Sequence, residues 1–163
     1  MAKKTRVTDK DMGFKRLAAS LGEMGHITIG VQGEEAEKPH PNAKGMTVGD
    51  VASMHELGLR GQKERSWCRA WMDQNAAYMQ SEAAEKFKAV MARNMTRNAA
   101  LIALGYDWTQ RMQQRMDDGL VTPPISLSTA QKKGHSKPLI ETYTLRNAVS
   151  YKVFIPQFKS IRD

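Results

Sequence analysis

His55 and Glu56 are the side chains most suggestive of catalysis, because they match the first half of a zinc-protease motif. In that motif two histidines one helical turn apart bind the metal, and the glutamate beside the first histidine acts as a general base. The second histidine would have to stand at position 59, where this chain has Leu59. We therefore interpret His55 and Glu56 as ordinary residues of a short helix and predict no zinc site.

The remaining polar residues also lack the partners that catalysis requires. Asp117 and Asp118 could bind a divalent ion in a nuclease, but adjacent acids at the end of a predicted helix are more typical of a solvated terminus. His26, His40 and His135 lie far apart in the sequence. The chain has no glycine-rich phosphate loop and no nucleophile elbow. The sequence predicts a protein that is not an enzyme, with no catalytic residue, no metal and no cofactor.

Length and composition indicate one globular domain over residues 1–163. Hydrophobic residues make up 40% of the chain and charged residues 26%, as in ordinary folded domains. No apolar run approaches the roughly 20 residues of a membrane span, so no membrane partner is predicted. Cys68 is the single cysteine, which excludes an intrachain disulfide and suits synthesis in a reducing cytoplasm. The net charge of +8 favours an anionic neighbour such as DNA or an acidic protein.

The order of the predicted elements indicates an α+β fold, in which a small antiparallel sheet packs against long helices. The elements are a helix over 8–21, a strand over 26–33, a short helix over 47–58, helices over 66–119 with a break at Gly105, and a strand over 148–155. Polar stretches near 34–45 and 122–137 are predicted to be mobile loops that become ordered on assembly, with a long hairpin arm as the alternative for the first, and 156–163 is a short C-terminal tail. A sheet of so few strands has exposed edges, which neighbouring subunits of a ring could cover.

Large apolar residues recur at helical spacing through the long helical region and predict a buried stripe. Its members are Trp67, Trp71, Tyr78, Phe87, Val90, Met91, Met95, Leu101, Ile102, Trp108, Met112 and Met116. A core role is the primary interpretation. Two alternatives stay open: some of the methionines can face a partner groove, and the tryptophan pair can belong to an interface.

Two segments in a fixed order carry a resemblance to a known family. Residues 46–58 read Met-Thr-Val-Gly-Asp-Val-Ala-Ser-Met-His-Glu-Leu-Gly and follow a Gly-Val-Gln-Gly strand end at 30–33. Residues 138–153 read Pro-Leu-Ile-Glu-Thr-Tyr-Thr-Leu-Arg-Asn-Ala-Val-Ser-Tyr-Lys-Val. Over residues 26–153 this order resembles the small neck and tail-completion proteins of tailed double-stranded-DNA phages. One departure is Tyr143, which stands where the family usually has glycine, so the turn must either relax to negative φ or carry strain.

The resemblance implies a structural virion protein, present in the host cytoplasm during assembly and then at the head-to-tail junction. It implies a homo-oligomeric ring, six-fold in the family, around the DNA channel, with connector and tail proteins as further partners. The assembly and packing motif then comprises Pro138, Leu139, Ile140, Thr142, Leu145, Arg146 and Val149. Candidate interface or DNA-channel cations are Arg60, Lys63, Arg65, Lys132, Lys133 and Lys137.

The charge also supports a rival hypothesis, a small basic DNA-binding protein without enzymatic activity. Against this rival, the positive residues are spread along the chain, and the sequence has no clear helix-turn-helix, zinc-finger or sheet-aromatic motif. If the assembly protein contacts genomic double-stranded DNA, we expect the contact to be non-specific and to run through phosphates, whereas sequence-selective retention would favour the DNA-binding rival.

Overall fold

The computed structural model describes residues 25–155 and contains one small sheet. Strand β1 (His26–Val31) pairs antiparallel with β2 (Val149–Phe154), so that Ile29 lies opposite Tyr151. The alternating, β-branched sequence of β1 suits a strand that packs on one face only. Both strands occur where the sequence predicted them, and an α+β domain is confirmed.

Seven helices lie between the two strands within the described residues. They are α1 (Glu34–Glu37), α2 (Val48–Leu57), α3 (Arg69–Gln74), α4 (Ala76–Met91), α5 (Arg97–Asp117), α6 (Leu127–Lys133) and α7 (Thr144–Ala148). The sheet packs on α5, which also contacts α4 and α7. The long helix α5 is therefore the scaffold on which the other elements are arranged.

Helix α2 begins and ends at the residues that the sequence indicated. The hydroxyl of Thr47 accepts the amide of Asp50, and the carboxylate of Asp50 accepts the amide of Thr47, which completes a capping box. At the other end Gly58 adopts φ 65°, a left-handed conformation that costs glycine little and stops the helix. The predicted short helix is confirmed.

The predicted helix break at Gly105 is wrong, because α5 continues through it for 21 residues. A side chain at this position would overlap the ring of Tyr151, so the glycine serves the close approach of β2 to α5. The chain turns earlier instead, after α4, where Arg93 takes φ 62°. The hydroxyl of Thr96 then caps α5 by accepting the amide of Ala99 at 3.1 Å.

The stretches predicted as loops contain two helices, so the absence of regular structure there was predicted wrongly. Helix α1 lies within 34–45, and an isolated bridge joins Pro39 to Thr47 behind it. Helix α6 lies within 122–137, begins at Ser126, whose hydroxyl accepts the amide of Thr129, and ends at Gly134. Their ordering on assembly stays a prediction. The predicted helix over 8–21 and the tail over 156–163 lie outside the described residues.

The main hydrophobic core joins α2, α3, α5 and the C-terminal elements. Trp67 and Trp71 are each 3% exposed, and Met112 and Met116 are fully buried, as the helical spacing predicted. The outer part of the predicted stripe is wrong: Phe87, Met91 and Ile102 are exposed at 41%, 36% and 43%. Phe87 and Met91 lie on α4, and Ile102 lies on α5.

Candidate functional site

The two segments that carry the family resemblance fold into one core. Val48 and Ala52 come from the upstream segment, and Ile140, Leu145 and Val149 come from the downstream segment. The last three are 1%, 3% and 2% exposed. Helix α2 also contacts α7 directly. The predicted packing motif is therefore an interior structure, and any role in assembly must be exerted through the surface that it holds in place.

The remaining motif residues form a turn between α6 and α7. Pro138 is fully buried, whereas Leu139 is only partly buried and takes φ 61°. Thr142 is exposed, and its hydroxyl lies 2.6 Å from that of Thr144. The motif thus alternates between residues that anchor the turn and residues that face solvent.

Tyr143 resolves the choice left open by the missing glycine. It keeps the left-handed conformation, with φ 58° and ψ 3°, and its carbonyl accepts the amide of Asn147 at 2.8 Å as α7 begins. A non-glycine residue in this region carries strain of roughly 1 kcal/mol or more. The residue is 49% exposed, so about half of its surface is buried against the rest of the chain.

Buried Gln113 was missed by the sequence interpretation and fastens the C-terminal elements to α5. Its amide donates to the carbonyls of Arg146 at 3.3 Å and Val149 at 3.1 Å, where α7 passes into β2. Arg146 itself reaches the carboxylate of Asp117. The interpretation of Asp117 as a solvated terminus is therefore wrong, while Asp118 is exposed. Gln113 could have been noticed as a polar residue beside Met112 on the buried face of a helix.

Glu56 acts as a helix cap, a role that the sequence pattern did not reveal. Its two carboxylate oxygens accept the backbone amides of Trp67, Cys68 and Arg69 at 2.8–3.0 Å and the hydroxyl of Ser66 at 2.7 Å. These are the donors left unpaired at the start of α3, where a negative charge is favourable. Burial, and then the charge of Glu56, raise the pKa of the Cys68 thiol to about 11. Cys68 is therefore held in its unreactive thiol form.

The six predicted cations do not form one patch. Arg60, Lys63, Lys132 and Lys137 are exposed. Arg65 is 9% exposed, and the side chain of Lys133 is 17% exposed. The last two line a cavity of about 200 Å³ between α2, α6 and the C-terminal turn, instead of projecting toward solvent.

His55 lies on the wall of this cavity. Arg65 donates its backbone amide to the carbonyl of His55 at 2.6 Å and its Nε to the carbonyl of Pro123 at 3.0 Å. The Nδ1 atom of His55 is buried and has no hydrogen-bond partner among the described residues. Burial, followed by the charges of Arg65, Lys133 and His40, lowers the pKa of His55 and so favours the neutral ring.

A second concavity lies between α4 and α5 and is almost wholly apolar. It encloses about 320 Å³ and is lined by Ala83, Phe87, Val90, Ala100, Leu101 and Leu104, among others. No residue of α4 is fully buried.

No protein-family model, curated protein or solved structure matches this chain. Within residues 25–155, no three His, Cys, Asp or Glu side chains are grouped so that they could hold a metal ion. The helices of this part of the chain are also too short or too polar to cross a membrane.

Proposed function

We propose that this chain is a structural virion protein of a tailed phage, which forms a ring around the DNA channel at the head-to-tail junction and has no enzymatic activity. The observation that carries the proposal is the shared core of the two motif segments, in which Val48 and Ala52 pack with Ile140, Leu145 and Val149. The resemblance depends on the order and spacing of these segments. Their meeting in one folded unit supports the view that they form a single structural signature.

The open sheet edges support a ring of identical subunits. Each of β1 and β2 pairs with one strand only among the described residues, so each has an outer edge that another chain can approach. A head-to-tail contact of this kind closes into a ring when the rotation between subunits permits it. The family resemblance implies six subunits.

Leu127 supports contact with a second kind of partner. It is the first residue of α6, within the stretch 122–137 that was predicted to become ordered on assembly, and it is 85% exposed. Leu120, just before this segment, is 57% exposed. We propose that α6 docks on the adjacent connector ring through Leu127, because a leucine held this far out of the core gains apolar burial only from a partner.

The exposed cations suit a lining that tolerates DNA. Arg60, Lys63, Lys132 and Lys137 are accessible, and contact through them would be with phosphates and would weaken steeply as salt rises. The rival function, a small basic DNA-binding protein, draws on the same charge but assigns no role to Leu127 or to the sheet edges.

The proposed contact of α6 is tested by comparing Leu127→Ser with Gln131→Ser, an exposed position on the same helix. Each variant is supplied to phage whose own copy of the gene is deleted, and the products are counted by electron microscopy. We expect Leu127→Ser to yield separate filled heads and tails, and Gln131→Ser to yield joined particles. Joined, infectious particles from Leu127→Ser, at normal yield, would remove α6 from the proposed contact.

A further inference from the structure

We propose that the cavity lined by His55, Arg65 and Lys133 is a binding site for a phosphate-type oxyanion, either inorganic phosphate or a phosphate monoester. The proposal stands apart from the assembly role and depends on the geometry of this cavity alone. Three chain segments bring the positive groups together: His55 from α2, Arg65 from the linker before α3, and Lys133 from α6.

The charge balance of the cavity favours an anion. Arg65 and Lys133 carry fixed positive charges at neutral pH, and both are largely withdrawn from solvent. The facing carboxylate is Glu141, whose oxygen lies 3.9 Å from Nζ of Lys133 and whose side chain is 52% exposed. Withdrawing two cations from water against one exposed carboxylate leaves a positive site, and a bound anion would offset that cost.

The cavity also offers hydrogen-bond donors to an anion. The Nε of Arg65 is used by Pro123, whereas its two Nη groups have no acceptor within residues 25–155. Besides its 3.9 Å ion pair with Glu141, Lys133 donates one long hydrogen bond of 3.5 Å to the carbonyl of Ile140 within the described residues. Thr129, Thr142 and Thr144 also line the cavity; their hydroxyls bond to Ser126 and to each other, so an anion would have to share or replace these bonds. Guanidinium, ammonium and hydroxyl groups are the donors that bind phosphate in proteins.

The buried Nδ1 atom of His55 is a further group that a ligand could bind. A buried ring nitrogen without a partner costs free energy unless a ligand or water supplies one. In the neutral ring Nδ1 can be the accepting nitrogen, and after protonation it becomes a donor. An anion in the cavity would oppose the effect of Arg65, Lys133 and His40 and would favour the protonated ring. Binding should therefore be accompanied by proton uptake.

Size and shape select the kind of anion. A volume of about 200 Å³ equals the space of roughly six or seven water molecules at about 30 Å³ each, enough for a phosphate with a small substituent. Donors converge from three segments, which suits the several oxygens of a tetrahedral anion better than the two oxygens of a carboxylate. We expect a concave site of this size to admit a terminal phosphate more readily than the internal phosphates of a duplex, which lie between flanking sugars.

The test is a nuclear magnetic resonance titration of the full chain with inorganic phosphate, methyl phosphate and sulfate. We expect saturable shifts at His55 and Lys133 and a rise in the pKa of His55 when the anion is bound. Sulfate keeps its charge between about pH 5 and about pH 8, so tighter sulfate binding toward the acid end reports protonation of the protein. This pH dependence should be lost in His55→Gln.

Lys133→Gln and Lys132→Gln form a matched pair, since the second lysine is exposed on the same helix. We expect Lys133→Gln to weaken phosphate binding roughly tenfold or more, as for loss of a charged hydrogen bond, and Lys132→Gln to leave it unchanged. Arg65→Gln should weaken binding as well; if it unfolds, Lys133→Gln still decides. Equal effects of the two lysine variants, or no shift at His55 with any of the three anions, would overturn the proposal.

Further competition measurements identify the source of the phosphate. A short duplex with a 5′-phosphate should compete with inorganic phosphate, while the same duplex without it should not. Equal competition by both duplexes would assign the effect to surface charge and overturn the proposal. Glutarate that binds as tightly as phosphate would assign the cavity to carboxylates and overturn it too.

Discussion

The guanidinium of Arg146 binds the carboxylate of Asp117 through two nitrogens, with Nε 3.1 Å and Nη2 2.8 Å from Oδ2. The pair joins α7 to the C-terminal end of α5, and the side chains are 27% and 24% exposed. An acid at this end of a helix is unfavourable toward the helix dipole, and Arg146 compensates for it. A residue of the family-like motif is thereby tied to the scaffold helix by charge as well as by packing.

Asp117→Asn should lower the free energy of unfolding by about 1–3 kcal/mol, because Arg146 is left partly buried without its anion. Asp118→Asn is the control, since Asp118 is exposed and its carboxylate accepts a hydrogen bond from the side chain of the nearby Gln114. Its effect should stay within about 0.5 kcal/mol. Urea unfolding followed by circular dichroism measures both. Equal losses in the two variants would show that the Arg146–Asp117 pair does not stabilise the fold.

Tyr143→Gly should leave stability unchanged or raise it, because glycine adopts φ 58° without strain and this relief opposes the loss of the half-buried tyrosine contacts. Tyr143→Val should lower stability by about 1–2 kcal/mol or more, since a β-branched side chain is poorly tolerated at positive φ. Thermal melting of both variants beside the parent gives the comparison. A glycine variant less stable than the valine variant would contradict this account of the turn.

Leu145→Ala should cost about 2–5 kcal/mol, the usual range for a leucine removed from a packed core. Leu139→Ala should cost less, because Leu139 is only partly buried. Leu127→Ala, at a site that is 85% exposed, serves as the control and should change stability by under about 0.5 kcal/mol. A melting temperature of Leu145→Ala equal to that of the parent would mean that the motif is not a packed anchor.

Stability should decrease as the pH falls through the unfolded-state pKa of histidine, about 6.5, toward the lower folded-state pKa of His55. Between these values the unfolded chain binds more protons than the folded chain, so the free energy of unfolding rises with pH. Below the folded-state value this contribution becomes constant. Urea titrations in buffers free of phosphate and sulfate measure the slope, and His55→Gln should reduce it. An unchanged slope in His55→Gln would contradict the assignment.

Local sequence signals were sufficient to predict the elements whose ends are set by residues close to them in the chain. Thr47, Asp50 and Gly58 define α2 through contacts within four residues, and the alternation of 26–31 defines β1. Gly105 was misinterpreted because its role lies in the approach of Tyr151, which local sequence does not reveal. Helix α6 was missed because it is short and mostly polar and has no apolar period. Its capping residues are Ser126 at the start and Gly134 at the end.

The candidate site depends on contacts between distant segments, which explains why less of it was predictable. Arg65 and Lys133 were both selected as cations, but their shared cavity arises only when the carbonyl of Pro123, 58 positions away, holds Arg65 in place. Glu56 was considered for catalysis, whereas its carboxylate accepts amides up to 13 positions later. Composition indicates charge, and only the fold decides which charges face solvent.

The proposed ring is tested most directly by mixing the full chain with purified connectors and measuring the mass of the complex. Light scattering after size-exclusion chromatography gives this mass. We predict a complex that contains several copies of the 18.3 kDa subunit on each connector, seen as an added ring by electron microscopy, and no requirement for DNA. A chain that stays monomeric, binds neither connectors nor tails, and is retained by DNA alone would contradict the proposal and favour the DNA-binding protein.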